Sequence, residues 1–154
     1  MLKKKVAEFL KQKEFVSVAT CNFQGRPNAA PKLILKEDAG NVYLVDYTIG
    51  HTWENLLVNP RASLSFMDTD SLNGYQVNGP VQVVEKGEEY EVLLNELLQR
   101  EIDLSTKRII EGVTRGKVHG SFEVAMPKRF IIFKVKIEEV IEIAPTGGMT
   151  REKV

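Results

Sequence analysis

The sequence predicts a mainly β, α+β fold: a six-stranded antiparallel barrel with a few peripheral helices. Three observations lead there. About six apolar, β-branched stretches are separated by turn signals at short spacing. Helical periodicity is confined to a few segments. The markers of doubly wound sheets are missing, since no Gly-x-Gly-x-x-Gly follows a strand and no Gly-Lys-Ser/Thr loop occurs. A Gly-x-Ser-x-Gly nucleophile elbow is likewise absent.

The elements follow in order. Leu2, Val6, Phe9 and Leu10 recur at helical spacing with lysines opposite, which predicts an N-terminal amphipathic helix. Phe15 to Cys21 reads as a strand that ends at the Gly/Pro turn Asn22-Phe23-Gln24-Gly25-Arg26-Pro27 and pairs as a hairpin with Asn28 to Leu35. The turn Glu37-Asp38-Ala39-Gly40-Asn41 leads into a third strand, Asn41 to Asp46. A short helix follows, stopped by Asn59-Pro60. Ala62 to Met67 and Gly74 to Val84 are the next strands, and Pro80 requires a bulge or an edge because proline cannot donate to a ladder. Glu88 to Arg100 places Tyr90, Leu93, Leu94, Leu97 and Leu98 on one helical face, and a second, weaker helix is expected over Leu104 to Thr114. Arg115 to Ser121 reads as loop before a short strand at Phe122 to Ala125, and Phe130 to Ile143 alternates as one half-buried final strand.

At 154 residues the chain can bury a substantial core. One domain is expected over 1–144, with a flexible tail over 145–154 that begins at Pro145-Thr146-Gly147-Gly148. Twenty-one basic residues balance twenty-one acidic ones, so no global positive field recruits nucleic acid or an anionic membrane. The basic N-terminus is not followed by the apolar stretch of a signal peptide, and no run approaches spanning length, so a cytoplasmic protein is expected. Cys21 is the lone cysteine and reads as a structural thiol; with only His51 and His119 beside it, no metal-ligand spacing exists. Glu88-Glu89 and Glu138-Glu139 read as solvated faces, not acid–base pairs.

The segment from Gly50 to Phe66 says most about function. Gly50, His51 and Thr52 stand at a helix N-terminus, where unpaired backbone N–H groups and the positive end of the helix dipole suit a phosphate. The competing reading is an ordinary helix cap with a solvated histidine. The whole string of strand, Gly/Thr loop, short helix, Asn59-Pro60-Arg61 and apolar strand resembles the FMN-binding split β-barrel proteins related to pyridoxamine 5'-phosphate oxidase. The resemblance covers Val6 to Lys86 well and the last strand loosely.

That resemblance implies a split barrel working as a homodimer, with FMN in a cleft between subunits. It places Ala30, Pro31 and Lys32 along the flavin ring, and Val45 and Asp46 beside the ring and ribityl chain. Gly50, His51 and Thr52 fall at the phosphate, with Asn55 one turn further on and Gln76 and Trp53 near the cleft. A flat ring against backbone and small side chains, with hydroxyl, imidazole and helix-end amides on the phosphate, is coherent chemistry. Two departures stand out. His51, a weaker and pH-dependent cation, replaces the Lys or Arg usual in the phosphate loop. The Arg-containing C-terminal segment that holds the pyridoxal substrate is missing, which argues against that specific oxidase activity. The favoured function is a flavoprotein oxidoreductase or flavin reductase, supplied by a nicotinamide or other small-molecule electron donor and lacking any assigned catalytic residue. The alternatives are a non-enzymatic FMN carrier or electron-transfer module, a deazaflavin- or haem-binding split barrel, and an interaction module that has lost its cofactor.

Overall fold

The computed structural model describes residues 1–114 and 129–154, which fall into two compact units. The first comprises 1–85 with 130–154 and holds the barrel; the second, 86–129, contains one long helix among its described residues. The elements are α1 (Leu2–Lys11), β1 (Phe15–Cys21), β2 (Pro27–Asp38), β3 (Asn41–Asp46), α2 (His51–Val58), β4 (Arg61–Asp68), β5 (Asn73–Val84), α3 (Glu88–Thr114), β6 (Ile131–Lys136), β7 (Glu139–Ile143) and β8 (Met149–Lys153). The sheet order β4-β1-β2-β3-β6-β5 closes through an additional β4–β5 pairing, giving an antiparallel barrel of six strands, and β7 and β8 extend it from β5. Closure pairs the two ends of the six-stranded part with each other, which leaves β8 as an edge strand of the extension.

The barrel interior follows from alternation. Val16 and Val18 of β1, Leu64 of β4 and Val77 of β5 point inward to meet Ile34, Leu44, Phe133 and Val135. The helical period of α1 delivers Leu2, Val6 and Leu10 to the same core. Its N-terminus is fastened by the Leu2 amide donating to Glu152 Oε2 at 2.7 Å, and by a Lys5–Glu142 ion pair.

β5 determines where the barrel opens. One of its edges pairs with β4 over Asn73–Pro80, while the other is shared by β7 over Gly74–Asn78 and β6 over Val81–Val84. At this exchange the chain between β6 and β7 crosses against Gly79, where a Cβ would lie 1.7 Å from the Lys136 carbonyl oxygen; only glycine admits that approach. Pro80 stands at the same break, so its missing N–H costs the ladder nothing.

Three expectations change. The single final strand is interrupted at Ile137-Glu138, because the Glu138 amide donates to Asn78 O at 3.0 Å across the exchange and the two halves pair with different parts of β5. The two helices expected between Glu88 and Thr114 are one; Glu101-Ile102-Asp103 weakens the apolar period but contains no Gly or Pro to break the backbone. The tail expected to fray pairs with β7 as β8. Pro145-Thr146-Gly147-Gly148 is the intervening hairpin turn, with the Ala144 amide donating to Gly148 O at 2.8 Å and Gly147 at φ 88°. The loop and short strand expected over Arg115–Ala125, His119 included, lie outside the described residues.

Candidate functional site

α2 packs on β1, β2 and β5 at one end of the barrel, with Leu56 in the core and Thr52 and Asn55 buried beside it. The N-cap is Gly50, which offers no side-chain cap, and a Cβ there would meet nothing within 4 Å. α2 thus starts at a residue with open space beside it and, as at any helix start, its first amides have no intrahelical acceptor. Just before the cap, Ile49 is held at φ 44°, a costly conformation for a β-branched residue, while its side chain packs against the core.

A cleft of about 420 Å³ lies between α2 and the β1–β2 turn. Its α2 wall consists of His51, Glu54, Asn55 and Val58, and the facing wall of Asn22, Phe23, Arg26, Pro27 and Asn28. The turn wall is fixed by Asn22, whose Oδ1 accepts from the amides of Gln24 and Arg26 at 3.0 and 2.9 Å. Asn28 Nδ2 donates to Thr52 Oγ1 at 3.2 Å, leaving the hydroxyl proton free to donate elsewhere, and Asn55 Nδ2 donates to Thr20 Oγ1 at 3.1 Å. His51 is largely exposed, with its Nδ1 2.9 Å from Glu54 Oε2.

Deeper at this end of the barrel is a buried ion pair. Lys32 and Asp46 are 6% and 1% exposed, and Lys32 Nζ donates to Asp46 Oδ1 at 2.8 Å. The same oxygen accepts from the Thr48 amide at 3.1 Å and hydroxyl at 2.9 Å, whereas Asp46 Oδ2 is buried without a partner among the described residues. A buried carboxylate with one saturated and one unused oxygen is a costly arrangement of the kind found at functional sites.

The expected site residues thus fall into four groups. His51 and Asn55 line the α2 wall of the cleft, Gly50 and the buried Thr52 belong to the same helix start but not to that lining, and Lys32 with Asp46 forms the buried pair. Val45 is fully buried between Leu33 and Ile132 of the flanking strands and adds nothing to the cleft lining. Pro31 and Gln76 lie on one transverse row of the outer sheet surface, Pro31–Ser17–Ser65–Gln76, with Ala30 inward beside Val18. Gln76 Nε2 is held by Ser63 Oγ at 2.8 Å and Asn78 Oδ1 at 3.2 Å. Sequence reasoning missed Arg26, Asn22 and Asn28. The hairpin was legible, but a turn's side chains gave no periodic sign of which helix they would face.

Among the described residues no group of His, Cys, Asp and Glu is arranged to hold a metal ion, and no helix is long and apolar enough to cross a membrane. The fold and cleft define a closed antiparallel barrel with a polar pocket at a helix N-terminus. The profile of the pyridoxamine 5'-phosphate oxidase family matches residues 2–144, and the chain belongs to that family.

Solved structures agree on the fold. A protein from Clostridium acetobutylicum, related to general stress protein 26 and of the pyridoxinephosphate oxidase family, is 16% identical with a TM-score of 0.71, over 99% of this chain and 94% of that one. A pyridoxamine 5'-phosphate oxidase-related, FMN-binding protein from Nostoc punctiforme is 12% identical with a TM-score of 0.60, over 98% and 94%. A haem-binding protein from Mycobacterium smegmatis is 14% identical with a TM-score of 0.67, over 99% of this chain and 58% of that one. Among curated proteins no significant match was found.

Proposed function

We propose that this protein binds FMN, with the phosphate at the α2 end of the cleft, and acts as a flavoprotein oxidoreductase or flavin reductase drawing on a nicotinamide or other small-molecule electron donor. The observation that carries the reading is the helix N-terminus beside the cleft: Gly50 without a side-chain cap and with open space at its Cβ position, first-turn amides without intrahelical acceptors, and a buried Thr52 hydroxyl that accepts from Asn28 and keeps its own proton to donate. These groups suit a phosphate monoester. Lys32, held by Asp46 and Thr48, would offer a fixed cation to the ring, and the bound flavin would supply the hydride or electron transfer. The protein's part is to orient the ring and keep the phosphate in place.

The partner in this reading is a second copy of the chain. The outer surface of β2, β1, β4 and β5 presents two uncharged rows, Pro31–Ser17–Ser65–Gln76 and Ala29–Ala19–Ser63–Asn78. Exposed Phe15 and Met67 stand on the same surface, at 52% and 53%. Two adjacent rows of small, uncharged side chains suit a two-fold contact. The haem alternative draws support from the mycobacterial neighbour, but the one histidine among the described residues, His51, is engaged by Glu54.

The test is FMN-dependent oxidation of a nicotinamide donor by the purified protein, with parallel fluorescence-quenching titrations of FMN and riboflavin. Tighter FMN binding with turnover supports the enzyme. Tighter FMN binding without turnover leaves a carrier, and equal affinities remove the phosphate site.

A further inference from the structure

The cleft poses a charge problem. A phosphate monoester brings close to two negative charges at neutral pH, and the α2 wall already carries the Glu54 carboxylate. His51, the loop's own candidate cation, has its ring nitrogen on that carboxylate, so its charge when protonated is already offset. The amide groups of the lining carry no charge to add, and Asn28 and Asn55 each already spend one N–H, on Thr52 and on Thr20. Helix-end amides and one hydroxyl supply hydrogen bonds, but they do not balance a dianion.

One group in the lining answers the deficit. Among the described residues Arg26 is the only lysine or arginine of the cleft lining, and its guanidinium has no carboxylate partner among them. Its backbone is tied on both sides. The amide donates to Asn22 Oδ1 at 2.9 Å, the carbonyl accepts from the Asn22 amide at 3.1 Å, and Pro27 fixes the next residue. A guanidinium offers a planar fork of donors that matches two phosphate oxygens and keeps its charge at every physiological pH.

We propose that Arg26, from the β1–β2 turn, is the phosphate-binding cation of this cleft, and that it does the work His51 cannot. The assignment rests on the FMN reading for the identity of the ligand, but not for the presence of an anion site. Glu54 opposes the bound phosphate, so its neutralisation tightens binding. At pH 8 the guanidinium keeps its full charge, so Arg26 still discriminates FMN from riboflavin.

The test is titration of FMN and riboflavin at pH 8 against the natural protein, Arg26→Gln, Arg26→Lys, Glu54→Gln and His51→Gln, with thermal melts confirming that each variant folds. Arg26→Gln should weaken FMN about 10- to 100-fold and leave riboflavin within about twofold; Arg26→Lys should recover part of the loss, and Glu54→Gln should tighten FMN. If the natural protein prefers FMN and Arg26→Gln leaves that preference intact, the Arg26 assignment falls while the FMN reading stands. If the natural protein does not prefer FMN, the FMN reading falls, and Arg26 is decided by calorimetric titration with inorganic phosphate. Phosphate binding that Arg26→Gln abolishes upholds it, and no phosphate binding by the natural protein overturns it.

Discussion

The buried Lys32–Asp46 pair gives the sharpest prediction about how the site and the fold share their energy. At 2.8 Å and an effective dielectric of about 20, the Coulomb attraction is about 6 kcal/mol. Desolvating both groups costs a comparable amount, so the pair as a whole contributes little to stability. Removing one partner is different. Asp46→Ala leaves the Lys32 ammonium 6% exposed with only the 3.4 Å contact to Thr48 Oγ1, and should cost about 3–5 kcal/mol. Lys32→Met should cost less, because the Thr48 amide and hydroxyl still satisfy Asp46 Oδ1. The double variant Lys32→Met/Asp46→Leu should return to within about 2 kcal/mol of the natural protein, since an apolar pair of similar volume needs no partner. Urea denaturation with unchanged m-values is the assay, read as a double-mutant cycle. Additive single costs, or an Asp46→Ala cost below about 1 kcal/mol, would refute the reasoning. The same double variant separates roles: if the pair serves the flavin, its restored stability comes with lost flavin affinity.

Other outcomes follow from the same geometry. Thr52→Ala should weaken FMN by about 1–2 kcal/mol and barely change riboflavin, measured by fluorescence quenching, because it removes one hydrogen bond to a charged group. Gly79→Ala should destabilise by more than about 3 kcal/mol in denaturant titration, as its Cβ would sit 1.7 Å from the Lys136 oxygen, while Gly74→Ala, whose Cβ would lie 3.7 Å from Ile143 Cβ, should cost far less. Lys5 holds Glu142 below its ordinary 4.5, and Glu142 with Tyr75 raises Lys5 to about 12. A carboxylate with a lowered folded value contributes stability above its unfolded value and loses it as pH falls through the folded one. Glu142→Gln should therefore cost up to about 1 kcal/mol at pH 7, and the difference from the natural protein should vanish as pH drops below 4.5. Light scattering at micromolar concentration should report twice the chain mass, and Ser17→Glu with Ser65→Glu on the uncharged face should return a monomer.

Much of the barrel was legible because its strands declare themselves locally. Asn41–Asp46 and Phe15–Cys21 match the structure residue for residue, and β-branched alternation bounded by Gly and Pro turns is sufficient to define them. What the sequence hid is non-local. The break at Ile137-Glu138 has no turn residue to announce it; it exists because β5 changes neighbours at Gly79. The β8 hairpin is hidden because Pro145-Thr146-Gly147-Gly148 signals either a turn or a frayed end, and what holds the following segment is non-local: the ladder with β7 and the bond from Leu2 to Glu152. In the site, Gly50 and Thr52 were visible through their place at a helix start. The Lys32–Asp46 contact and the approach of Arg26 to α2 depend on how strands fourteen and more residues apart come together.

The central claim is that this barrel carries FMN, and the most direct measurement is the visible absorption spectrum of the freshly purified protein, with mass analysis of whatever denaturation releases. The account predicts an oxidised-flavin spectrum, or its appearance on adding FMN to colourless protein, and a released mass equal to that of FMN. A haem spectrum, a released deazaflavin, or protein that remains colourless and leaves FMN fluorescence unquenched would contradict it.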